Sequence, residues 1–191
     1  MTPGLRLDRT TTTPLDPRVA AAMRPWLDAS VSIPAAAGAR GRAAREALEA
    51  ARDSVARLLG ARAEEILFTS SATESNNLAL KGLAAASPGP GRILAAATEH
   101  LSILHPLRTL ERQGHRVVLL PVDAEGRLDP EALRRELAQG ALLVSVAHAS
   151  GEIGTVQDVP LLARLAREAG VPFHCDASLG LGSLPFPAPP E

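Results

Sequence analysis

A run of small and hydroxylated residues, 70–76, follows a short apolar stretch and opens a predicted helix. Backbone N–H groups at the start of a helix, together with the helix dipole, favour a bound phosphate. Serine and threonine at such a position are also ordinary helix caps, which are far commoner than phosphate sites. The local pattern therefore leaves two interpretations, a phosphate-binding turn or a simple cap.

A histidine and an acid stand at the ends of two other predicted strands. His100 follows Thr98-Glu99, where an imidazole could stack on a flat cofactor ring or transfer a proton. A partly buried structural histidine is the alternative. Asp176 closes an apolar run, where an unpaired carboxylate is costly, and a protonated ring nitrogen would be a suitable partner. The alternative for Asp176 is a helix or turn cap.

The sequence has one cysteine, Cys175, and one lysine, Lys81. Cys175 alternates to the opposite face of its strand from Asp176, and we interpret it as a small core residue. A single cysteine excludes a disulfide framework or a Cys-rich zinc site within one chain and is typical of a reducing cytosol, so we expect a cytoplasmic protein. No metal site is predicted, because metal-ligand spacing is missing among His105, His115 and His174.

Composition excludes several classes of partner. The net charge is −1 and aromatic residues make up 2% of the chain, so it lacks both the basic surface and the stacking platforms of a nucleic-acid-binding protein. No apolar run approaches about 18 residues, so no membrane span is predicted. Residues 1–6 lack the hydrophobic core of a signal peptide, and we expect no export.

The elements that position these residues alternate between strands and helices. Helical spacing follows Asp16-Pro17 despite Pro25, and recurs from Ala44 to Leu59, after a predicted loop over 30–41. Predicted strands cover 65–69, 92–97, 116–122, 141–147 and 171–176, and predicted helices separate them. This order indicates βαβ units. The predicted fold class is α/β, with a mainly parallel sheet and helices on both faces. Ligands bind at the carboxyl ends of such strands, which here are residues 70–76, 98–100, 148–154 and 176–179.

In their order along the chain, these motifs closely resemble the NifS-type cysteine desulfurases. That family has the pyridoxal-phosphate (PLP) transferase fold of the class V aminotransferases. The resemblance extends from about Leu7 to Pro185. The matching motifs are Leu7-Asp8, residues 12–17 (TTPLDP), residues 68–77 (FTSSATESNN), Thr98-Glu99-His100, residues 148–158 (HASGEIGTVQD) and Asp176-Ala177-Ser178.

The resemblance implies a role for each matching residue. Ala72 and Thr73 match the phosphate-binding turn, and His100 matches the histidine that stacks on the PLP ring. Asp176 matches the acid that pairs with the pyridine nitrogen and keeps the ring an electron sink. The implied activity converts L-cysteine to L-alanine and a persulfide, a sulfur source for iron-sulfur cluster assembly.

The sequence departs from the family pattern at residues that take part in catalysis and at residues that contact the cofactor. The family's cofactor-binding lysine and persulfide cysteine lie beyond the last aligned strand, and neither Lys81 nor Cys175 matches them. Covalent attachment of PLP is therefore not expected, and the chain lacks a complete catalytic set. Gly151 stands where the family has an asparagine near the cofactor, and Leu179 where it has a glutamine.

We expect residues 1–30 to form an N-terminal arm and helix, 31–185 an incomplete PLP-transferase large domain, and 186–191 a Pro-rich tail. Three hypotheses follow for function. In the first, a separate C-terminal half chain completes a desulfurase; the expected partners are such a half chain or a homo- or hetero-oligomer. Alternatively, the chain is a non-catalytic binding or dimerisation partner of a full-length desulfurase, or a truncated reading frame. A parallel sheet cut short would leave an open edge and exposed apolar surface.

Overall fold

The computed structural model describes residues 13–28 and 32–185. The predicted Pro-rich tail and most of the N-terminal arm lie outside these residues. The helices are α1 (Pro17–Asp28), α2 (Gly38–Leu59), α3 (Ala72–Ala86), α4 (Leu101–Arg112), α5 (Pro130–Leu137) and α6 (Val159–Glu168), with a 3-10 turn at Ala63–Glu65. The strands are β1 (Arg92–Ala96), β2 (Arg116–Leu120), β3 (Leu143–Ser145) and β4 (Phe173–His174).

The four strands form one parallel sheet in the order β2-β1-β3-β4. Leu94 of β1 is level with Val118 of β2 on one side and with Val144 of β3 on the other. The chain first adds β2 outside β1 and then crosses to the other side for β3 and β4. The strand order thus reverses between β1 and β3, the position where open α/β sheets leave a crevice for ligands.

Both faces of the sheet are covered by helices, as the alternation of side chains along β1 shows. Ile93 and Ala95 pack in a core with residues of α3 and α4, whereas Leu94 and Ala96 pack in a second core with residues of α5 and α6. A strand buried on both faces explains why its sequence is apolar throughout. The predicted α/β class, with a mainly parallel sheet and helices on both faces, is confirmed.

Side-chain caps fix where several helices begin. Asp16 accepts a hydrogen bond from the backbone N–H of Arg18, and Asp129 accepts one from that of Glu131. These two predicted helix starts are confirmed. α2 begins at Gly38, earlier than the predicted loop allows, and α1 continues through Pro25 to Asp28.

The strand predicted at residues 65–69 is wrong. Glu65 ends the 3-10 turn, no ladder in the described part of the chain pairs with residues 66–69, and Leu67 is 67% exposed. A strand exists only where a neighbouring backbone accepts its hydrogen bonds, and local apolarity does not supply that neighbour. The segment is therefore apolar but belongs to no strand ladder among the described residues.

Contacts along the chain divide it into two compact units, with the boundary between Leu67 and Phe68. The sheet and helices α3–α6 belong to the second unit. No helix in the described ranges is long and apolar enough to cross a membrane.

The two-sided core gives a matched test on one strand. Leu120 is 1% exposed and packs in the core shared with α5 and α6, whereas its neighbour Leu119 is 51% exposed. We expect Leu120→Ala to lower the free energy of unfolding by about 2–5 kcal/mol, because it leaves a cavity. Leu119→Ala should change it by about 0.5 kcal/mol or less. Urea denaturation measures both, and equal losses would contradict the assignment of Leu120 to the core and of Leu119 to the exposed side of β2.

Candidate functional site

A hydrogen-bonded chain of side chains joins three of the predicted ligand-binding segments. The Asn76 amide of α3 donates to Asp176 Oδ2 over 2.8 Å and to Ser102 Oγ over 2.9 Å. Asn76 is 3% exposed, so both N–H groups of a buried amide find acceptors. The starts of α3 and α4 are thereby tied to the residue that follows β4.

His100 is the N-cap residue of α4 and is held by Ser102. Its Nδ1 accepts from the Ser102 backbone N–H over 3.1 Å and lies 2.8 Å from Ser102 Oγ. Because Nδ1 is an acceptor, the hydrogen-bond network assigns the proton of the neutral ring to Nε2. His100 is exposed, so its ring is accessible at this edge of the sheet.

Asp176 is half-buried, and each carboxylate oxygen has a donor. Oδ1 accepts from the Ser178 backbone N–H over 3.0 Å, and Oδ2 accepts from Asn76. Burial alone raises the pKa of the Asp176 carboxyl, but the hydrogen bonds from Ser178 and Asn76 outweigh it and hold that pKa below its usual value. Asp176 therefore carries a negative charge at neutral pH and can pair with a buried or bound cation.

The turn before α3 contains both a cap and unused N–H groups. Ser71 Oγ accepts from the Glu74 N–H over 3.2 Å, and the Glu74 carboxylate accepts from the N–H and hydroxyl of Ser70, each over 2.6 Å. These bonds with Ser70 lower the pKa of Glu74. Ala72 and Thr73 are the first residues of the helix, where N–H groups have no carbonyl partner inside it. The capping interpretation is thus correct for Ser71, and it leaves donors for an anion.

Two residues of this network, Asn76 and Ser102, had no role predicted from the sequence. Asn76 does carry a signal, because it continues the buried stripe of α3 at four-residue spacing from Leu80 and Ala84. A polar residue in such a stripe needs a partner. The partner itself is not visible in the sequence, since Asp176 lies 100 positions away.

Two further ionisable groups are buried beneath the network. Glu99 is 6% exposed, and its Oε1 accepts from the Ala147 N–H over 2.8 Å. His148 is 5% exposed and packs so closely on Gly180 that a Cβ there would come within 2.3 Å of the ring Nδ1. Glu99 Oε2 and His148 Nδ1 have no hydrogen-bond partner in the part of the chain that the structure describes.

Cys175 is only partly buried and is not among the residues of either described core cluster. Burial raises the pKa of its thiol to about 12, and the charges of Asp176 and Glu99 act in the same direction. This disfavours the thiolate, which is the nucleophilic form. Cys175 is therefore a poor nucleophile, but its predicted place in the core is not what the structure shows.

Gly151 and Leu179, where the resemblance implies departures from the family pattern, lie close together. A Cβ placed on Gly151 would lie 2.7 Å from Cδ1 of Leu179. The end of the leucine side chain thus occupies space into which a side chain at position 151 would project.

Lys81 lies near the predicted site, although it does not match the family's cofactor-binding lysine. It lines a groove of about 370 Å³ together with Thr73 at the start of α3 and His100 at the start of α4. The groove runs between these two helices, and its described lining contains no acidic residue.

The described sheet is parallel with a reversed strand order, and Asp176 and His100 lie at its carboxyl edge, as in open α/β folds that bind a ligand there. Residues 6–187 match the family described as aminotransferase class-V, and the chain belongs to this family. Class V aminotransferases and the related cysteine desulfurases depend on PLP. The predicted family is therefore confirmed.

Individual relatives and solved structures show which members of the family the chain is similar to. Cysteine desulfurase IscS of Anaeromyxobacter sp. (strain K) is 46% identical over 182 residues, which are 94% of this chain and 45% of that protein. A solved NifS-like protein superposes with a TM-score of 0.88 at 33% identity, covering 94% of this chain and 50% of the other. The NifS-like protein of Rickettsia africae ESF-5 gives a TM-score of 0.83 at 32% identity, covering 94% and 49%. The chain thus spans about half the length of the relatives it matches.

The buried amide gives a second testable prediction. We expect Asn76→Ala to cost about 1–3 kcal/mol at neutral pH, because it removes the donor to Asp176 Oδ2 and the donor to Ser102 Oγ. The pKa of Asp176 should rise. Since a lowered carboxyl pKa stabilises the folded chain only above the unfolded value of 3.8, the cost should shrink as the pH falls below that value.

Urea denaturation across pH, with carbon NMR of the Asp176 carboxyl, measures both effects. Asn77→Ala is the matched control, because Asn77 is only partly buried and its amide donates to the Thr73 carbonyl within its own helix. A loss in Asn77→Ala equal to that in Asn76→Ala would show that the network is not the source of the stability.

Proposed function

We propose that the chain binds PLP, without a covalent bond, at the carboxyl edge of its sheet. Ala72 and Thr73 would hold the phosphate at the start of α3, His100 would lie against the ring, and Asp176 would pair with the ring nitrogen. The observation that carries this proposal is the Asp176 carboxylate, kept charged by Asn76 and Ser178 beside an accessible histidine.

The residues present fit such a group in chemical type. A planar, cationic pyridine ring with an anionic phosphate requires one anion, one stacking partner and a set of N–H donors, and the edge supplies all three. When bound, PLP supplies an electron sink for carbanion chemistry. The protein's part is electrostatic and positional: Asp176 holds a proton on the ring nitrogen, and the Nε2–H of His100 is available as a donor.

For the whole reaction, we propose that the residues of this chain act together with the C-terminal half of the desulfurase fold. A C-terminal half chain, or another subunit in an oligomer, would bring the cofactor-binding lysine and the persulfide cysteine, and the substrate would be L-cysteine. The match to 45% of the length of the Anaeromyxobacter desulfurase supports this proposal. A cytosolic setting belongs to the same proposal, supported by the single free cysteine.

A second candidate function is non-catalytic, as a binding or dimerisation partner of a full-length desulfurase. The contact between Leu179 and Gly151 favours it, because the side chains that would hydrogen-bond the cofactor are replaced by an apolar contact. A chain that keeps the fold but not these contacts would retain an interaction surface while turning over poorly.

Absorption spectroscopy with PLP tests the cofactor site. We expect weak binding that Asp176→Ala reduces about tenfold or more, since hydrogen bonds to charged groups contribute about 1.5–3 kcal/mol. Borohydride treatment followed by peptide mapping should leave Lys81 unmodified. Lys81→Ala is the control and should bind like the unaltered chain. A reduced adduct on Lys81 would contradict the non-covalent proposal.

Reconstitution separates the two candidate functions. The chain is mixed with the C-terminal half of the Anaeromyxobacter desulfurase, and alanine formed from L-cysteine is measured. Alanine formation supports the split enzyme. Its absence, with alanine formed by the double variant Gly151→Asn/Leu179→Gln, supports the non-catalytic function and locates the loss at this contact.

A further inference from the structure

Glu99 is a buried ionisable group to which the proposed cofactor site assigns no role. One carboxyl oxygen, Oε1, accepts from the Ala147 N–H over 2.8 Å, and the other has no partner among residues 13–28 and 32–185. A charged carboxylate buried with one oxygen unpaired is costly, whereas the neutral acid has far less charge to desolvate. The contact geometry therefore favours the protonated form.

The position of Glu99 in the chain allows its side chain to anchor a loop. It lies in the four-residue connection between the end of β1 at Ala96 and the start of α4 at Leu101. Its backbone N–H donates to the Ala96 carbonyl over 3.3 Å, and its side chain reaches the backbone just beyond β3. His100, the next residue, is exposed. The inward side chain of Glu99 thus anchors the loop from which His100 projects.

The negative charge of Asp176 and the burial of Glu99 both raise the pKa of the Glu99 carboxyl. Burial raises its pKa to about 7 against the opposing hydrogen bond from Ala147, and the negative charge of Asp176 raises it further. The His174 ring, which Ser145 Oγ contacts over 3.0 Å, has its pKa lowered by burial, although Asp176 raises it. The titratable groups of the surrounding elements are His100 beside Glu99, His148 after β3, and His174, Cys175 and Asp176 at the end of β4.

We propose that Glu99 is a positioning residue that, as an uncharged acid, fixes the His100 loop to the end of β3 and leaves the negative charge of the site on Asp176. The proposal rests on the proposed function only for the role of His100. Two carboxyl groups share the edge, and their surroundings differ: Asp176 has a donor on each oxygen, whereas Glu99 has one donor and one buried oxygen unpaired. With Glu99 uncharged, the Asp176 carboxylate is the single negative charge beside the ring nitrogen. It favours the protonated ring without repulsion from a second carboxylate.

The pH dependence of stability tests the protonation state without any cofactor. Because Glu99 keeps its proton in the folded chain up to about pH 7 but loses it near 4.5 when unfolded, the folded chain binds more protons between these values. The urea midpoint should therefore fall as the pH rises through this window and level off above it. Glu99→Gln, which is isosteric with the neutral acid, should abolish the fall, and the exposed Glu111→Gln of α4 should retain it.

Infrared spectroscopy tests the same protonation state directly. At about pH 6, where ordinary carboxyls are ionised, infrared spectra should show a protonated-carboxyl band that only Glu99→Gln removes.

Proton NMR of the His100 ring tests the positioning role. Its resonances, assigned by their loss in His100→Gln, should be unchanged in Glu99→Gln and displaced in Glu99→Ala. The proposal is overturned if Glu99→Gln keeps the pH-dependent fall and the infrared band, or if a folded Glu99→Ala leaves the His100 resonances in place. If Glu99→Ala does not fold, displaced His100 resonances in Glu99→Gln overturn it instead. If PLP does not bind but these results are as expected, the proposed cofactor site is contradicted and the proposed role of Glu99 is still supported.

Discussion

The geometry of the carboxyl edge depends on one buried amide. Asn76 donates one N–H to the Asp176 carboxylate and the other to the Ser102 hydroxyl. Because a charged carboxylate can only accept, the amide nitrogen rather than its oxygen must face Asp176, which fixes the side chain's orientation. Ser102 in turn fixes His100. The acid and the histidine are thus positioned by the same side chain, although they follow different strands.

The sheet brings these groups together through its topology. β1 and β3 are neighbours, but the chain visits β2 on the far side between them. The loops after β1 and β3 therefore leave the sheet in opposite directions and open a crevice. Glu99 spans this crevice at its base by accepting from the Ala147 N–H. The edge is consequently both open to a ligand and connected across the gap.

The sequence predicts the order and type of most elements because their signals are local. Helix caps at Asp16 and Asp129 and the apolar run of β3 depend on neighbours within a few residues. The error at 65–69 arose because a strand also needs a distant backbone, which local apolarity does not report. The roles assigned to His100 and Asp176 came from resemblance, whereas the bond between Asn76 and Asp176 joins positions 100 apart and leaves no local pattern.

The approach of Leu179 to Gly151 has a consequence for substitutions at position 151. Leu179 Cδ1 lies 2.7 Å from the point where the first side-chain atom of any residue at 151 would be placed. This methyl group is the far end of a flexible side chain that is 42% exposed, so it can rotate away at little cost. Position 151 can therefore accept a polar side chain without a prior change at position 179, and the two sites can be restored independently.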